Sequence, residues 1–228
     1  MKPTKRLWQG LGIVFLLSFA ALGWLGREIY LAAPPIPKAV ITTDKVTLFT
    51  GANIELGQQA WLSAGGQQLG TVWGHGSYVA PDWSADWLHR EAIALRDNIA
   101  RDNYGRAFAV LPAVERAGVE AAVKEEMRRN TYDSATGTIV VSPARAKAVR
   151  AVAQHYVDLF GDAPGIDQLR QQYAMTVNTL PDPSQREALA AFFFWTSWAA
   201  GTDRPGETGL SYTSNWPHEP LVGNTLPT

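Results

Sequence analysis

His75, Asp82, Asp86 and His89 fall within fifteen residues of one another, and histidine with carboxylate is a donor set that zinc accepts. A hydrolytic metal centre on His75, Asp82 and His89 is therefore the first chemistry to weigh. The spacing argues against it. His89 follows Asp86 by three positions in a helical stretch, His75 sits in the turn-forming triplet Gly74-His75-Gly76, and no H-E-x-x-H pair exists. Hydrogen bonding within the fold or at its surface explains the same side chains more simply. Glu125 and Glu126 are followed by Arg128 and Arg129 and read as a solvated helix face, not as an acid/base pair. No G-x-S-x-G elbow, Walker loop or Rossmann glycine pattern is present.

Composition removes further classes. The 228 residues include no cysteine, which excludes disulfides, zinc knuckles, iron–sulfur clusters, a thiol nucleophile and covalently attached c-type haem. The net charge is −1, but Lys2, Lys5 and Arg6 place +3 ahead of residue 27 and leave −4 on the remaining 202 residues. An acidic body of this kind is a poor nucleic-acid binder, because such binding draws on phosphate neutralisation by Lys and Arg. Nine tryptophans are present, with Trp61, Trp73, Trp83 and Trp87 in one 27-residue stretch and Trp195, Trp198 and Trp216 further on. They either line a ligand pocket or fill a core or docking face, and the second reading is the simpler.

The elements that must position these residues begin with Leu7–Gly26, an uncharged run of 20 residues that spans about 30 Å as a helix and matches a bilayer's hydrocarbon core. Trp8 and Trp24 suit the two interfaces, and the cluster Lys2, Lys5, Arg6 predicts a cytoplasmic N-terminus with the rest of the chain outside. The run exceeds the core of a cleaved signal peptide and no A-x-A site follows, so it reads as an uncleaved single-pass anchor in the inner membrane. Ala33-Pro34-Pro35-Ile36-Pro37 then forms a stiff stalk.

The remainder is mainly α. Apolar residues at spacings of three and four predict helices over 84–103, before Gly105; from about Pro112 to Arg129; from Ser142-Pro143 to Phe160, before Gly161; over 166–174; and from a capping box at Ser184-x-x-Glu187 to about Ala200. Residues 131–133 and 138–141 predict a small β-hairpin. The uncharged stretch 188–200 is too short to span a membrane and reads as a buried core helix. The expected organisation is a cytoplasmic N-terminus (1–6), a transmembrane anchor (7–26), a Pro-rich stalk and lead-in (27–53), an extracytoplasmic domain (54–205) and an extended tail (206–228).

The runs Gly57-Gln-Gln-Ala-Trp61 and Gly65-Gly66-Gln-Gln-Leu-Gly70-Thr-Val-Trp73-Gly-His75-Gly-Ser-Tyr78-Val-Ala-Pro81-Asp82-Trp83-Ser-Ala-Asp86-Trp87-Leu-His89-Arg90-Glu91-Ala carry a resemblance. So do Asn130-Thr-Tyr-Asp133, Phe192-Phe-Phe-Trp195 and Ser214-Asn-Trp-Pro-His218-Glu-Pro220. Together they resemble the N-terminal region of quinol-dependent nitric oxide reductases, a cytochrome c-like domain fused ahead of a multi-span membrane module. That region is itself similar to the cytochrome c subunit of two-subunit nitric oxide reductases, whose pattern G-x-x-x-W, C-x-x-C-H, G-x-G-x-Y-x-A-P can be laid on this sequence without a gap. Gly57 and Trp61 match its start; Gly74, Gly76, Tyr78, Ala80 and Pro81 match its end. The haem-attaching cysteines become Gly66 and Leu69, and the haem-ligating histidine becomes Gly70.

The resemblance implies a cytochrome c-like helical domain with a vacated haem site that the tryptophans must fill. It implies no catalytic residue and no cofactor in this chain, with haem b and non-haem iron held by the multi-span module that would be its partner, next to the lipid bilayer. It also implies that carbonyls of Gly76 and Tyr78 contribute to a calcium ion at the contact with that module, a reading that calcium's preference for oxygen allows; a plain tight turn fits the residues equally. The implied role is docking on and shielding a quinol-dependent enzyme that reduces nitric oxide to nitrous oxide, whether the chain is a truncated or a separately encoded piece. The alternative is a single-span binding module with an aromatic ligand or partner pocket.

Overall fold

A computed structural model describes residues 3–74, 76 and 80–225. The chain divides into two compact units, Met1–Pro35 and Ile36–Thr228. The first is one helix, α1 (Pro3–Ala32). It extends the apolar run at both ends, and an ion pair joins Arg27 Nη1 to Glu28 Oε1 at 2.8 Å. Among the described residues it is the one helix long and apolar enough to cross a membrane.

The second unit is mainly helical with a small sheet. It contains β1 (Ala39–Thr42), β2 (Thr47–Thr50), α2 (Gly51–Ser63), α3 (Trp83–Tyr104), α4 (Ala113–Arg128), β3 (Tyr132–Asp133), β4 (Thr138–Val141), α5 (Pro143–Phe160), α6 (Asp167–Gln172) and α7 (Pro183–Gly201). The hairpin expected at 131–141 is β3 antiparallel to β4. It is half of a four-stranded sheet of order β2-β1-β4-β3, in which β1 runs parallel to β4 and antiparallel to β2. Every second residue of β1 and β4 is buried, with Val40, Ile139 and Val141 in the main core.

Local chemistry fixes most helix ends. Ser142 caps α5 by accepting from Arg145 N at 3.2 Å, with Pro143 in the first turn. Gly105 closes α3 in the left-handed conformation, φ 63°. At the start of α7 the cap is Asp182 and not the expected Ser184: Asp182 Oδ1 accepts from Ser184 N and Ser184 Oγ, both at 2.8 Å. Pro183 sets the first turn at a favourable φ, which moves the helix start two residues upstream. These hydrogen bonds hold the Asp182 carboxyl below its ordinary range.

α7 is the axis of the unit, buried from Ala188 to Gly201, as expected for a core helix. α2, which follows a reciprocal Thr50/Asn53 capping box, lies against it so closely that a Cβ at Gly57 would stand 2.0 Å from Ala188 O. Composition predicts an extended tail after Gly201, but the described part of it is built from turns and packed. Ser211, Asn215, Val222 and Asn224 are buried, and Arg204 N donates to Leu210 O at 2.9 Å. Side-chain amides supply hydrogen bonds that a helical or strand period would otherwise signal.

Candidate functional site

The three positions that would carry haem lie on one short connection. Gly66 opens a 3-10 turn (Gly66–Gln68), Leu69 follows it and packs against the main core, and Gly70 leads into the loop before α3. Gly70 has φ +155°, and a Cβ there would meet Trp83 Nε1 at 2.3 Å and Pro81 O at 2.8 Å. Position 70 therefore accepts no side chain while Trp83 stays in place. Trp61 explains the G-x-x-x-W spacing: one turn after the glycine that lets α2 approach α7, its indole reaches Phe192 at 5.8 Å and donates to Gly70 O at 3.1 Å.

Trp83 is fully buried and faces four rings. It stacks on Phe193 with centroids 5.5 Å apart and presents edges to Phe160 at 5.4 Å, Tyr173 at 5.8 Å and Tyr156 at 6.1 Å. Trp87 continues the cluster, stacked on Tyr156 at 5.2 Å. Such offset and edge-to-face pairs add cohesion beyond area burial. Trp83 Nε1 has no hydrogen-bond partner among the described residues, which costs about 1–3 kcal/mol and marks the indole as placed for its volume. A cytochrome c-like fold implies haem c, and these residues do not fit it. Cysteine is absent, the position that the resemblance gives to the haem ligand is Gly70, and the space beside it is occupied by indole.

The loop after Gly70 is organised by Asp82. Its Oδ2 accepts from Thr71 Oγ1 and Gly74 N, both at 2.7 Å, and its Oδ1 accepts from Ala85 N at 3.0 Å and from Ser84 Oγ. Gly76 N–H donates to Thr71 Oγ1 at 2.9 Å. Two indoles fasten this loop to distant segments: Trp73 Nε1 donates to Thr196 O and Trp216 Nε1 to Gly74 O, each at 2.7 Å. Sequence reasoning misses Thr71, Ser84 and the two indoles in this role; only the Asp82-x-Ser84 spacing ahead of a helix hints at it.

Of the histidine and aspartate set, His75 lies outside the described residues, as does Tyr78 of the calcium pair. The others are not brought together. Asp82 is spent on the loop; Asp86 Oδ2 accepts from Tyr156 OH at 2.7 Å and Arg90 Nε at 2.8 Å; His89 Nδ1 pairs with Glu219 Oε2 at 2.8 Å. Burial, reinforced by the charge of Asp86 and its hydrogen bond, pushes the Tyr156 hydroxyl well above its ordinary pKa, so it stays protonated as the donor. Among the described residues no three His, Asp or Glu side chains are grouped to hold a metal. Glu126 is partly enclosed, its Oε1 accepting from Ser142 N at 3.2 Å. Two surface cavities, of about 380 Å³ between β2, α5 and α7 and about 650 Å³ between α3 and α5, have no tryptophan in their walls.

The seven tryptophans of the second unit thus serve the interior and the loop staples. No curated protein matches the chain. The family model for the NorB cytochrome c-like domain of nitric oxide reductase matches residues 37–218, which takes in the whole body from β1 to the C-terminal turns. The chain belongs to that family.

Proposed function

We propose that the chain is the membrane-anchored, extracytoplasmic, haem-free domain of a quinol-dependent nitric oxide reductase, and that it docks on and shields the multi-span module that reduces nitric oxide to nitrous oxide. The observation that carries this reading is the aromatic filling around Gly70 inside a domain of this family. A fold of electron-carrier type whose haem space is solid cannot relay electrons, so its value to the enzyme is as a shaped surface. α1 supports anchoring by length and apolarity, and Lys5 and Arg6 ahead of the apolar run support an inward N-terminus. Haem b and non-haem iron belong, in this reading, to the partner module.

Calcium at the contact is part of the same proposal. This chain's contribution would be backbone carbonyls at Gly76 and Tyr78. Asp82, the nearest described carboxylate in the sequence, already has both oxygens engaged, so the remaining oxygen ligands would be carbonyls, water or groups of the partner.

The test is co-expression of the full chain with the catalytic module in membranes, followed by mild detergent extraction and affinity purification on this chain. Co-elution of a haem b spectrum, with no covalent haem on this polypeptide in a denaturing gel, is the expected result. Covalent haem on the chain, or loss of the module under conditions that keep other membrane complexes intact, overturns the proposal.

A further inference from the structure

α3 and α5 run antiparallel and are tied along their seam. Asn98 Nδ2 donates to Ala144 O at 3.1 Å near one end, and Tyr156 OH donates to Asp86 Oδ2 at 2.7 Å near the other. Beside this seam opens the cavity of about 650 Å³, a size that takes a small organic molecule. Its walls include Ile93, Ala94, Ala151 and Val152, and the two alanines are too short to close the groove between the helices. Positive charge gathers around it. From Pro143 to Val157, α5 carries Arg145, Lys147 and Arg150 and no acid, in a body whose net charge is −4.

Arg90, Arg101 and Lys147 line the cavity, as do the acids Asp86 and Asp97. Both acids are spent. Asp86 Oδ2 accepts from Arg90 Nε and Tyr156 OH, and Asp97 Oδ1 accepts from Arg96 Nε at 3.0 Å and Arg96 Nη2 at 2.8 Å. Arg101 and Lys147 are exposed and have no hydrogen-bond or ion-pair partner among the described residues, so two positive charges remain unmatched. Of the imidazoles in the wall, His89 is engaged by Glu219, and His155, whose pKa burial and the charge of Arg90 lower, stays neutral at neutral pH. The smaller cavity of about 380 Å³ has one cation, Arg150, and one acid, Glu187, and so no such excess.

We propose that the cavity between α3 and α5 binds a phosphate ester, with the phosphate held by Arg101 and Lys147 and the organic part lying over Ala94 and Ala151. A phosphate carries acceptor oxygens on several sides, so cations from two different helices reach it together, which a flat carboxylate allows less well. The Arg101 guanidinium offers a planar fork and Lys147 a compact point charge, the two ways in which side chains grip phosphate. An ester suits the site better than inorganic phosphate, because only an organic part gains from covering the apolar walls at Ile93 and Val152. Soluble phosphomonoesters and the headgroups of anionic phospholipids both present this chemistry. Nothing in the site depends on the multi-span module.

The chain has no cysteine of its own, so single cysteines can report on the cavity. Ala151→Cys in its wall and Val114→Cys, at an 85% exposed position on α4, are introduced singly into the full chain, which is purified in a maltoside detergent and labelled with a maleimide. Glycerophosphate should slow labelling at position 151 and leave position 114 unchanged. In the Ala151→Cys background, Lys147→Gln or Arg101→Gln should raise the ester concentration for half-protection about tenfold, the loss expected for one charge-assisted hydrogen bond. Arg150→Gln, on α5 but outside this cavity, should not. All the substituted side chains are exposed, so thermal unfolding should not change. In nanodiscs without added ester, protection at position 151 by phosphatidylglycerol and not by phosphatidylcholine alone makes the ligand a lipid headgroup; protection by glycerophosphate only makes it a free ester. No protection by either, equal protection at position 114, or the same loss from Arg150→Gln overturns the proposal.

Discussion

Around Trp83 the interior is apolar and ring-packed, whereas around Arg128, at the end of α4, it is polar. Arg128 Nη1 donates to Gly201 O at 3.0 Å and Asn215 Oδ1 at 3.2 Å, and Nη2 pairs with Asp203. Asn215 in turn accepts from Ser211 N at 2.9 Å and donates to Gly209 O at 2.7 Å and Thr225 O at 2.6 Å. Asn224 repeats the device with Ala200 O, Pro217 O and Glu219 N. Both regions are buried and both border α7, but they fail differently. Rings cohere without direction, so losing one leaves a hole. Amide and guanidinium groups cohere only in one geometry, so losing one leaves partners unpaired.

Removing a ring from the aromatic region gives the largest effect. Trp83→Ala should cost about 3–5 kcal/mol, read as a lower urea midpoint for the full chain in detergent. Trp83→Phe should cost well under half as much, because the ring stacked on Phe193 is kept and the N–H that is lost has no partner. Equal losses for the two variants would mean that the indole nitrogen is bonded, and the contrast between the regions would fail. Gly70→Ala should be comparably damaging, since its Cβ meets the indole and its φ is unsuited to a side chain. Pairing it with Trp83→Ala should give less than the sum of the two costs.

In the polar region Arg128→Met should cost about 2–4 kcal/mol, chiefly through the unpaired Gly201 carbonyl and Asp203 carboxylate it leaves. Its signature is local: the segment after Thr202 should become sensitive to limited proteolysis before the helical core unfolds. Arg128→Lys should not restore protection, because an ammonium is a compact point donor, whereas the Gly201, Asp203 and Asn215 acceptors are reached by two separate nitrogens of the planar guanidinium. Uniform unfolding, with no early cleavage after Thr202, would show that the polar region is no separate unit of stability.

The two regions also differ in how far the sequence reveals them. α3, α5 and α7 are legible because their apolar residues recur at helical spacing and their ends carry Asp, Ser, Pro or Gly in chemically useful places. That tryptophan packs the interior is legible as an expectation, since an absent C-x-x-C-H and a surplus of tryptophan make one statement together. Which tryptophan lies beside Gly70 is not: Trp83 and Trp87 are alike in sequence, and only the approach of the Trp83 indole, Nε1 2.3 Å from the Cβ position of Gly70, singles it out. β1 and β2 escape a sequence reading because each is four residues long and the parallel partner of β1 is about a hundred positions away, where local period gives no signal. The turns after Gly201 look extended for another reason: Asn215 and Asn224 hold them mostly through side-chain bonds to nearby backbone groups, which leave no apolar period.

The smallest effect comes from a group at the border of the ring-packed region. His155 on α5 rests against Tyr156 with ring centroids 5.3 Å apart, and its Nε2 is buried without a partner among the described residues. Burial, helped by the positive charge of Arg90, lowers its pKa below the ordinary 6.5, with Asp86 and Asp158 offsetting part of this. The unfolded chain therefore takes up the proton first as pH falls. Stability should be undiminished above 6.5, decline as pH drops through 6.5 towards the folded-state value, and lose nothing further from this group below it. Comparing urea midpoints at several pH values for the native chain and His155→Leu isolates that contribution, and the variant should show the shallower decline. An identical slope in both would mean that the imidazole is solvated in the folded state, so that the ring-packed interior stops short of it.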